Sequence, residues 1–367
     1  MKISQGLGGE PAPRPSGRGT AALIVVALFL LAGFIFIVPN LPNLLKRGFD
    51  IVSQLASSSS GNSQTGSNTT THSYSPLIQN GSANITFPPD YSTLEAYALQ
   101  LINQDRATFN VGPVTLSSNQ AGQQHADSML NYGYFSHYDT QGFKPYMRYS
   151  LLGGTGGDAE NIAFILDPSA HFTTASAEDA IKTLEHAMVY NDSTCCNNGH
   201  RDNILNSLHN KVSIGVAYDD THIYFDEEFE NDYITLTFSI SGSNQVTMSG
   251  VPTQSSVTDK SNSVYVTFDD TPQPQTASQL NSGPREYGPG TLTGGVLPSC
   301  NPLSCPHFQN GITVYADTWK LSSTQVEISF SLQEFINAHR AGVYTLYLIT
   351  GSDTNSAITS ISVFISG

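Results

Sequence analysis

The sequence predicts an α+β domain over residues 91–241 and a small all-β domain over residues 242–367, carried behind an N-terminal apolar span. Three observations lead there. Apolar residues recur at helical spacing from Leu94 to Met188, and strict alternation takes over from Val212; after Gly242 only short alternating runs at loop-length intervals remain. A chain of 367 residues that is 39% hydrophobic can build two cores.

Residues 1–20 read as a cytoplasmic tail. Residues 21–38 contain no charged or strongly polar side chain, and as a helix they would extend about 27 Å, close to one bilayer. No small-x-small cleavage site follows, so the segment is expected to remain as a single-pass signal anchor in the cell membrane, with the C-terminal domains outside. Residues 39–90 turn to Ser, Thr, Asn and Gly, a flexible linker composition. The triplets at Asn68, Asn80, Asn84 and Asn191 are N-glycosylation acceptors by pattern.

Charge narrows the partners. The total is −15, and residues 1–47 hold five cations against Glu10, a net of +4, so the remaining residues carry −19. Such a body repels nucleic acid and attracts cations.

Ser92 and Glu95 predict a capped start for a first helix with Leu94, Tyr97, Ala98 and Leu101 on its inner face. Ser117 repeats the start signal for a second, which puts His125 on the buried stripe as a hydrogen-bonded core histidine and leaves His137 in the turn that follows. Four glycines between 151 and 158 deliver Glu160. A third helix is expected over about 177–189. Strands follow at Val212–Tyr218 and at 234–240, with Tyr224 and Phe225 between them. Asp226, Glu227, Glu228 and Glu230 read as solvated charges. Later runs at 264–268, 326–330, 343–349 and 361–365 predict a β-sandwich, possible in an immunoglobulin-like topology. Cys300 and Cys305 are close enough to close a small disulfide loop; adjacent Cys195 and Cys196 leave open a strained ring, free thiols, outside partners or metal ligation.

Three polar motifs stand apart: Phe135-Ser136-His137, Ala159-Glu160-Asn161-Ile162-Ala163 and Gly199-His200-Arg201-Asp202-Asn203-Ile204-Leu205. Two imidazoles and a carboxylate suit a divalent metal or a proton shuttle. Their order resembles the CAP superfamily of cysteine-rich secretory, antigen 5 and pathogenesis-related proteins, in its prokaryotic SCP-like form, over residues 91–241. The resemblance implies an α-β-α sandwich with a His/Glu site in an open cleft and a second glutamate on the third helix, for which Glu185 is the nearest candidate and Glu178 the alternative register.

Three functions follow. The first is an anchored CAP module whose His137, His200 and Glu160 bind Zn²⁺ or another divalent cation and whose cleft takes a lipid, glycan or protein at the cell surface. The second is a metal-dependent peptidase or esterase with Glu160 and Glu185 as catalytic carboxylates. The third is a structural envelope adhesion protein. No His-Glu-x-x-His and no Gly-x-Ser-x-Gly supports the second.

Overall fold

A computed structural model describes residue 88 and residues 90–254, 261–300, 305–351 and 354–366. The span expected at 21–38, nearly all of the linker expected at 39–90, and the triplets at Asn68, Asn80 and Asn84 lie outside the described residues. Among the described residues no helix is long and apolar enough to cross a membrane.

The first domain is built on a four-stranded sheet in the order β1-β3-β4-β2, with β1 at Thr115–Leu116, β2 at Gly157–Leu166, β3 at Lys211–Tyr218 and β4 at His222–Asn231. β2, β4 and β3 pair antiparallel, while β1 joins β3 in parallel. Helices α1 (Tyr91–Thr108) and α4 (Thr174–Tyr190) cover one face, together with the short α5 (Gly199–Ile204). Their side chains Leu94, Ala98, Ile181, Leu184 and Ile204 meet Val212, Ile214, Val216, Phe225 and Phe229 from the sheet. Fully burying each such aromatic or branched side chain contributes about 1.5–3 kcal/mol. Helices α2 (Ala121–Tyr132) and α3 (Pro145–Leu151) cover the opposite face. The result is three layers.

The contact between α2 and the sheet explains where His125 ends up. A Cβ on Gly215 would lie 2.2 Å from the carbonyl oxygen of Gly122. Only a glycine pair lets helix and strand backbones approach this closely. Two expected helix starts are corrected. α1 begins at Tyr91, so Ser92 lies inside it, and Glu95 accepts a hydrogen bond from the Tyr91 hydroxyl at 3.1 Å instead of closing a capping box. α2 begins at Ala121; Ser117 and Asn119 form polar turns ahead of it, with Asn119 Oδ1 accepting from Ala121 N at 2.9 Å.

The second domain holds two sheets around one core. The first has the order β10-β11-β6-β5, with β5 at Ile234–Ile240, β6 at Gln245–Pro252, β10 at Thr318–Leu321 and β11 at Val326–Ser331. The second has the order β13-β12-β7-β8-β9, with β7 at Ser263–Asp269, β8 at Thr291–Leu297, β9 at Ile312–Tyr315, β12 at Gly342–Ile349 and β13 at Ile361–Ile365. Val246, Met248, Ile328 and Phe330 pack against Val264, Val266, Leu346 and Val363. Helices α6 (Ala277–Ser282) and α7 (Gln333–His339) fill connections. One strand changes sides relative to the sequence expectation: Ile234–Ile240, read as part of the first domain, pairs with β6 as an edge of the second. Alternation reports that one face is buried, not which sheet buries it.

The two domains share a polar seam. Lys144 Nζ and the Tyr146 hydroxyl both donate to Asp269, each at 2.8 Å. The Ser360 hydroxyl donates to the Gly156 carbonyl at 2.9 Å, and Asn231 Nδ2 donates to the Ala357 carbonyl at 2.6 Å. Lys144 Nζ also donates to the Gly288 carbonyl at 3.0 Å, which holds the α6–β8 connection over the first domain.

Candidate functional site

Register on β2 and β4 sorts the acidic side chains between the two faces of the sheet. Asp158 pairs across from Glu230 and Glu160 across from Glu228, so these four, with Asp226, point toward α2 and α3. Asn161 and Glu227, directly opposite one another, point toward α1 and α4. The reading of 226–230 as solvated charges is corrected: Asp226, Glu227 and Glu228 are fully buried and Glu230 is nearly so. β4 is a central strand with helices on both faces, so its side chains have no route to water.

Burying these acids without cations is too costly to leave them ionised. Burial pushes Asp158 up to about 8 and holds Asp226 and Glu228 well above the ordinary carboxyl range, with the neighbouring carboxylates adding to the rise. Glu160 goes the other way. Burial opposes its charge, but the Arg148 guanidinium and the two imidazoles outweigh that and hold it well below the usual value. Arg148 is the cation at the centre. Its Nη2 donates to Glu160 Oε2 and lies 3.1 Å from His125 Nδ1, while Nη1 donates to the carbonyls of His137 and Phe143 at 2.7 and 3.0 Å. The face therefore carries one ion pair beside three acids, Asp158, Asp226 and Glu228, that keep their protons at neutral pH.

His125 lies in this cluster, with Nδ1 2.9 Å from Asp226 Oδ2 and from Glu160 Oε2. Burial and the adjacent guanidinium lower its proton affinity, so it is neutral. Its role as a buried, hydrogen-bonded histidine matches the sequence expectation, and its contact with Glu160 is new. His125, Glu160 and Asp226 place ligand-capable atoms within 4.8 Å of one another. Arg148 already supplies a cation there, which makes this group a poor metal site.

His137 Nδ1 is 2.7 Å from Glu160 Oε1, and His200 Nδ1 is 2.7 Å from Asp192 Oδ1. His200 stands in the first turn of α5, after two asparagines at positive φ, Asn197 and Asn198. Each ring is thus fixed through Nδ1 by a carboxylate, the arrangement that orients Nε2 for a metal or a ligand. His137, Glu160 and His200 all line one cleft of about 640 Å³. Glu160 spends one oxygen on His137 and the other on Arg148 and His125, which suits it to orient His137 rather than to ligate an ion itself.

Glu185 does not reach the cleft. It is buried under the other face of the sheet, where burial and the neighbouring Glu227 hold it well above the usual carboxyl range; burial raises Glu227 too, to about 7. It touches the site only indirectly, because Asn161 Nδ2 donates both to Glu227 at 3.1 Å and to the His200 carbonyl at 3.2 Å.

The second domain completes the wall. The Tyr287 hydroxyl accepts from the Glu160 amide at 2.7 Å, and its ring packs on His137 with centroids 4.7 Å apart. Arg285 donates to the Phe135 carbonyl at 2.6 Å. Tyr287→Phe should cost about 1–2 kcal/mol, because it leaves the Glu160 amide without an acceptor; a melting temperature equal to that of the parent would show that the contact does not hold the site together. Tyr287, Arg148, Asp158 and Asp192 escape sequence reasoning: none belongs to a local pattern, and Tyr287 comes from the other domain.

Both disulfides are present. Cys300 joins Cys305, and Cys195 joins its neighbour Cys196, which settles the open choice for that pair.

A model of the cysteine-rich secretory protein family, CAP, matches residues 99–238. No curated protein matches the chain. Two solved structures are similar over 40% of it: an extracellular protein containing an SCP domain from Bacillus anthracis str. Ames, at 20% identity and a TM-score of 0.29, and the CAP domain of enterococcal PrgA, at 12% identity and a TM-score of 0.30. The similar region covers 45% of the first and 63% of the second, less than two thirds of either.

Proposed function

We propose that residues 99–238, which match the model of the cysteine-rich secretory protein family, form a domain of that family that the chain presents outside the cell, where its cleft binds a divalent cation and a glycan. The N-terminal apolar run at 21–38 is the membrane anchor of this reading, and the Ser/Thr/Asn-rich stretch after it is the tether.

The observation that carries the proposal is the lining of the cleft. Two carboxylate-oriented imidazoles share it with neutral amides and phenols, among them Asn161, Asn203, Asn206, Tyr146 and Tyr347. Amides and hydroxyls present the donors and acceptors that sugar hydroxyls require, while a lipid tail needs a continuous apolar channel. His137 and His200 would hold the ion through Nε2, with Glu160 and Asp192 behind them. A bound Zn²⁺ supplies a Lewis acid able to take a ligand oxygen.

The hydrolase reading draws less support. Glu160 is committed to an ion pair and held far below the range of a general base, and Glu185 is remote from the cleft.

The test is titration of the purified full-length chain with Zn²⁺, followed by a cell-envelope polysaccharide. His137→Ala with His200→Ala should abolish Zn²⁺ binding, and Asp192→Asn should weaken it by about 10–100-fold. Unchanged Zn²⁺ affinity in the double variant would overturn the metal assignment, and absence of polysaccharide binding by the metal-loaded chain would overturn the glycan.

A further inference from the structure

The loop that carries His200 holds a second group of donors. Asp192, Cys195, Cys196 and His200 place ligand-capable atoms within 4.8 Å of one another. A tetrahedral zinc site wants its donors separated by roughly 3.3–3.8 Å, so the backbone already assembles the set. What prevents its use is covalent: Cys195 and Cys196 are joined to each other, and disulfide sulfurs lack the thiolate charge that binds a metal. Asp192 is the fixed point. Its side chain is buried, with Oδ1 2.7 Å from His200 Nδ1 and 3.5 Å from Cys195 Sγ, while Oδ2 accepts from the Arg201 amide at 3.2 Å. Both cysteines line the open cleft and Cys195 is exposed, so a thiolate from outside can reach the disulfide.

We infer that reduction of the Cys195–Cys196 disulfide creates a Zn²⁺ site in this loop, with Cys195, Cys196, His200 and Asp192 as its four ligands. The reductant is a dithiol. One of its thiolates attacks Cys195 Sγ, forming a mixed disulfide and releasing Cys196 as a thiolate. The second thiolate of the donor attacks the mixed disulfide, frees Cys195 and leaves the donor oxidised. Two electrons pass to the chain, and the two thiol protons of the donor go to solvent or to the released sulfurs. Zn²⁺ then binds both thiolates and expels any protons they carry. His200 Nδ1 and Asp192 turn from each other to the ion, exchanging their hydrogen bond for two metal bonds.

The site shares His200 as a ligand with the cleft ion proposed above and takes as another ligand Asp192, which in that reading orients His200; the inference does not otherwise rest on that reading. Sharing makes the two occupancies compete, so the redox state of the loop would set whether His200 serves the cleft.

The test uses the full-length chain carrying C300S and C305S, so that no other thiols remain. Zn²⁺ content is measured before and after treatment with a dithiol, and Co²⁺ is substituted to read thiolate-to-metal charge-transfer absorption. Reduction should add that absorption and one equivalent of thiolate-bound metal, and both should vanish in C195S/C196S. In H137A the reduction-dependent site should persist while the cleft ion is lost; in H200A both should fail. No charge-transfer band on reduction, or a band that survives C195S/C196S, overturns the inference whether or not the cleft ion exists. Circular dichroism of each variant confirms that the fold is retained; none of the altered cysteines is buried.

Discussion

Replacing Arg148 with methionine is expected to destabilise the chain by about 3–5 kcal/mol at pH 7, the largest effect of any single substitution in the first domain. Arg148 is the cation among the carboxyls of one sheet face, the buried Glu160, Asp226, Glu228 and Glu230 and the half-buried Asp158, and it is itself nearly sealed from water. Its removal leaves the Glu160 charge without a counterion and takes a hydrogen-bond donor from each of the His137 and Phe143 carbonyls. Glu160 would respond by taking up a proton, so the loss should shrink as pH falls. A second change, Glu160→Gln, removes the stranded charge, and R148M/E160Q should recover part of the stability lost in R148M alone. Thermal melting followed by circular dichroism reads all three variants. A loss below about 1 kcal/mol, or a double variant no more stable than R148M, would mean that the ion pair does not neutralise this face.

That ion pair also marks the limit of what the sequence disclosed. His137, Glu160 and His200 stood out because each sits in a short motif of fixed order, and all three line one cleft. Helical and alternating periodicity likewise revealed the layers, since burial of one face writes a period into the chain. The acidic run 226–230 misled for the same reason: periodicity is read from apolar residues, and a strand whose inward side chains are protonated carboxyls looks like an exposed one. Nothing local says that Asp226 will meet His125 a hundred residues away. Glu185 misled differently. Its helix was placed correctly, but its partner is Glu227 on the far face from Glu160, a fact fixed by strand register. Tyr287 depends on how two domains pack, and Ile234–Ile240 on which sheet captures an edge; neither is encoded in spacing.

The buried acids make a second large prediction: the chain should be more stable at pH 5 than at pH 8, by several kcal/mol. A carboxyl whose folded value is raised binds its proton more tightly in the folded chain than in the unfolded one. Between the two values the folded state holds the extra proton, so stability is full below the unfolded value and is lost as pH rises through the folded one. For Glu227 that window runs from 4.5 to about 7, and for Asp158 from 3.8 to about 8. Each group loses about 1.4 kcal/mol per pH unit across its window. Asp226, Glu228 and Glu185 are raised as well and act in the same direction. Glu160 opposes them: its lowered value stabilises above the ordinary carboxyl range and is lost only as pH falls well below 4.5, so the optimum lies at mildly acidic pH. Self-repulsion in a chain of formal net charge −15 steepens the alkaline fall. Melting temperature measured from pH 4 to pH 9 should therefore peak near pH 5 and drop on the order of 10 °C by pH 8. Glu227→Gln imitates the protonated side chain and still accepts from Asn161, so it should raise stability at pH 8 by about 3 kcal/mol while changing little at pH 5. A flat or rising profile from pH 5 to pH 8, or a Glu227→Gln variant with the parent's slope, would show that these carboxyls ionise freely in the folded chain.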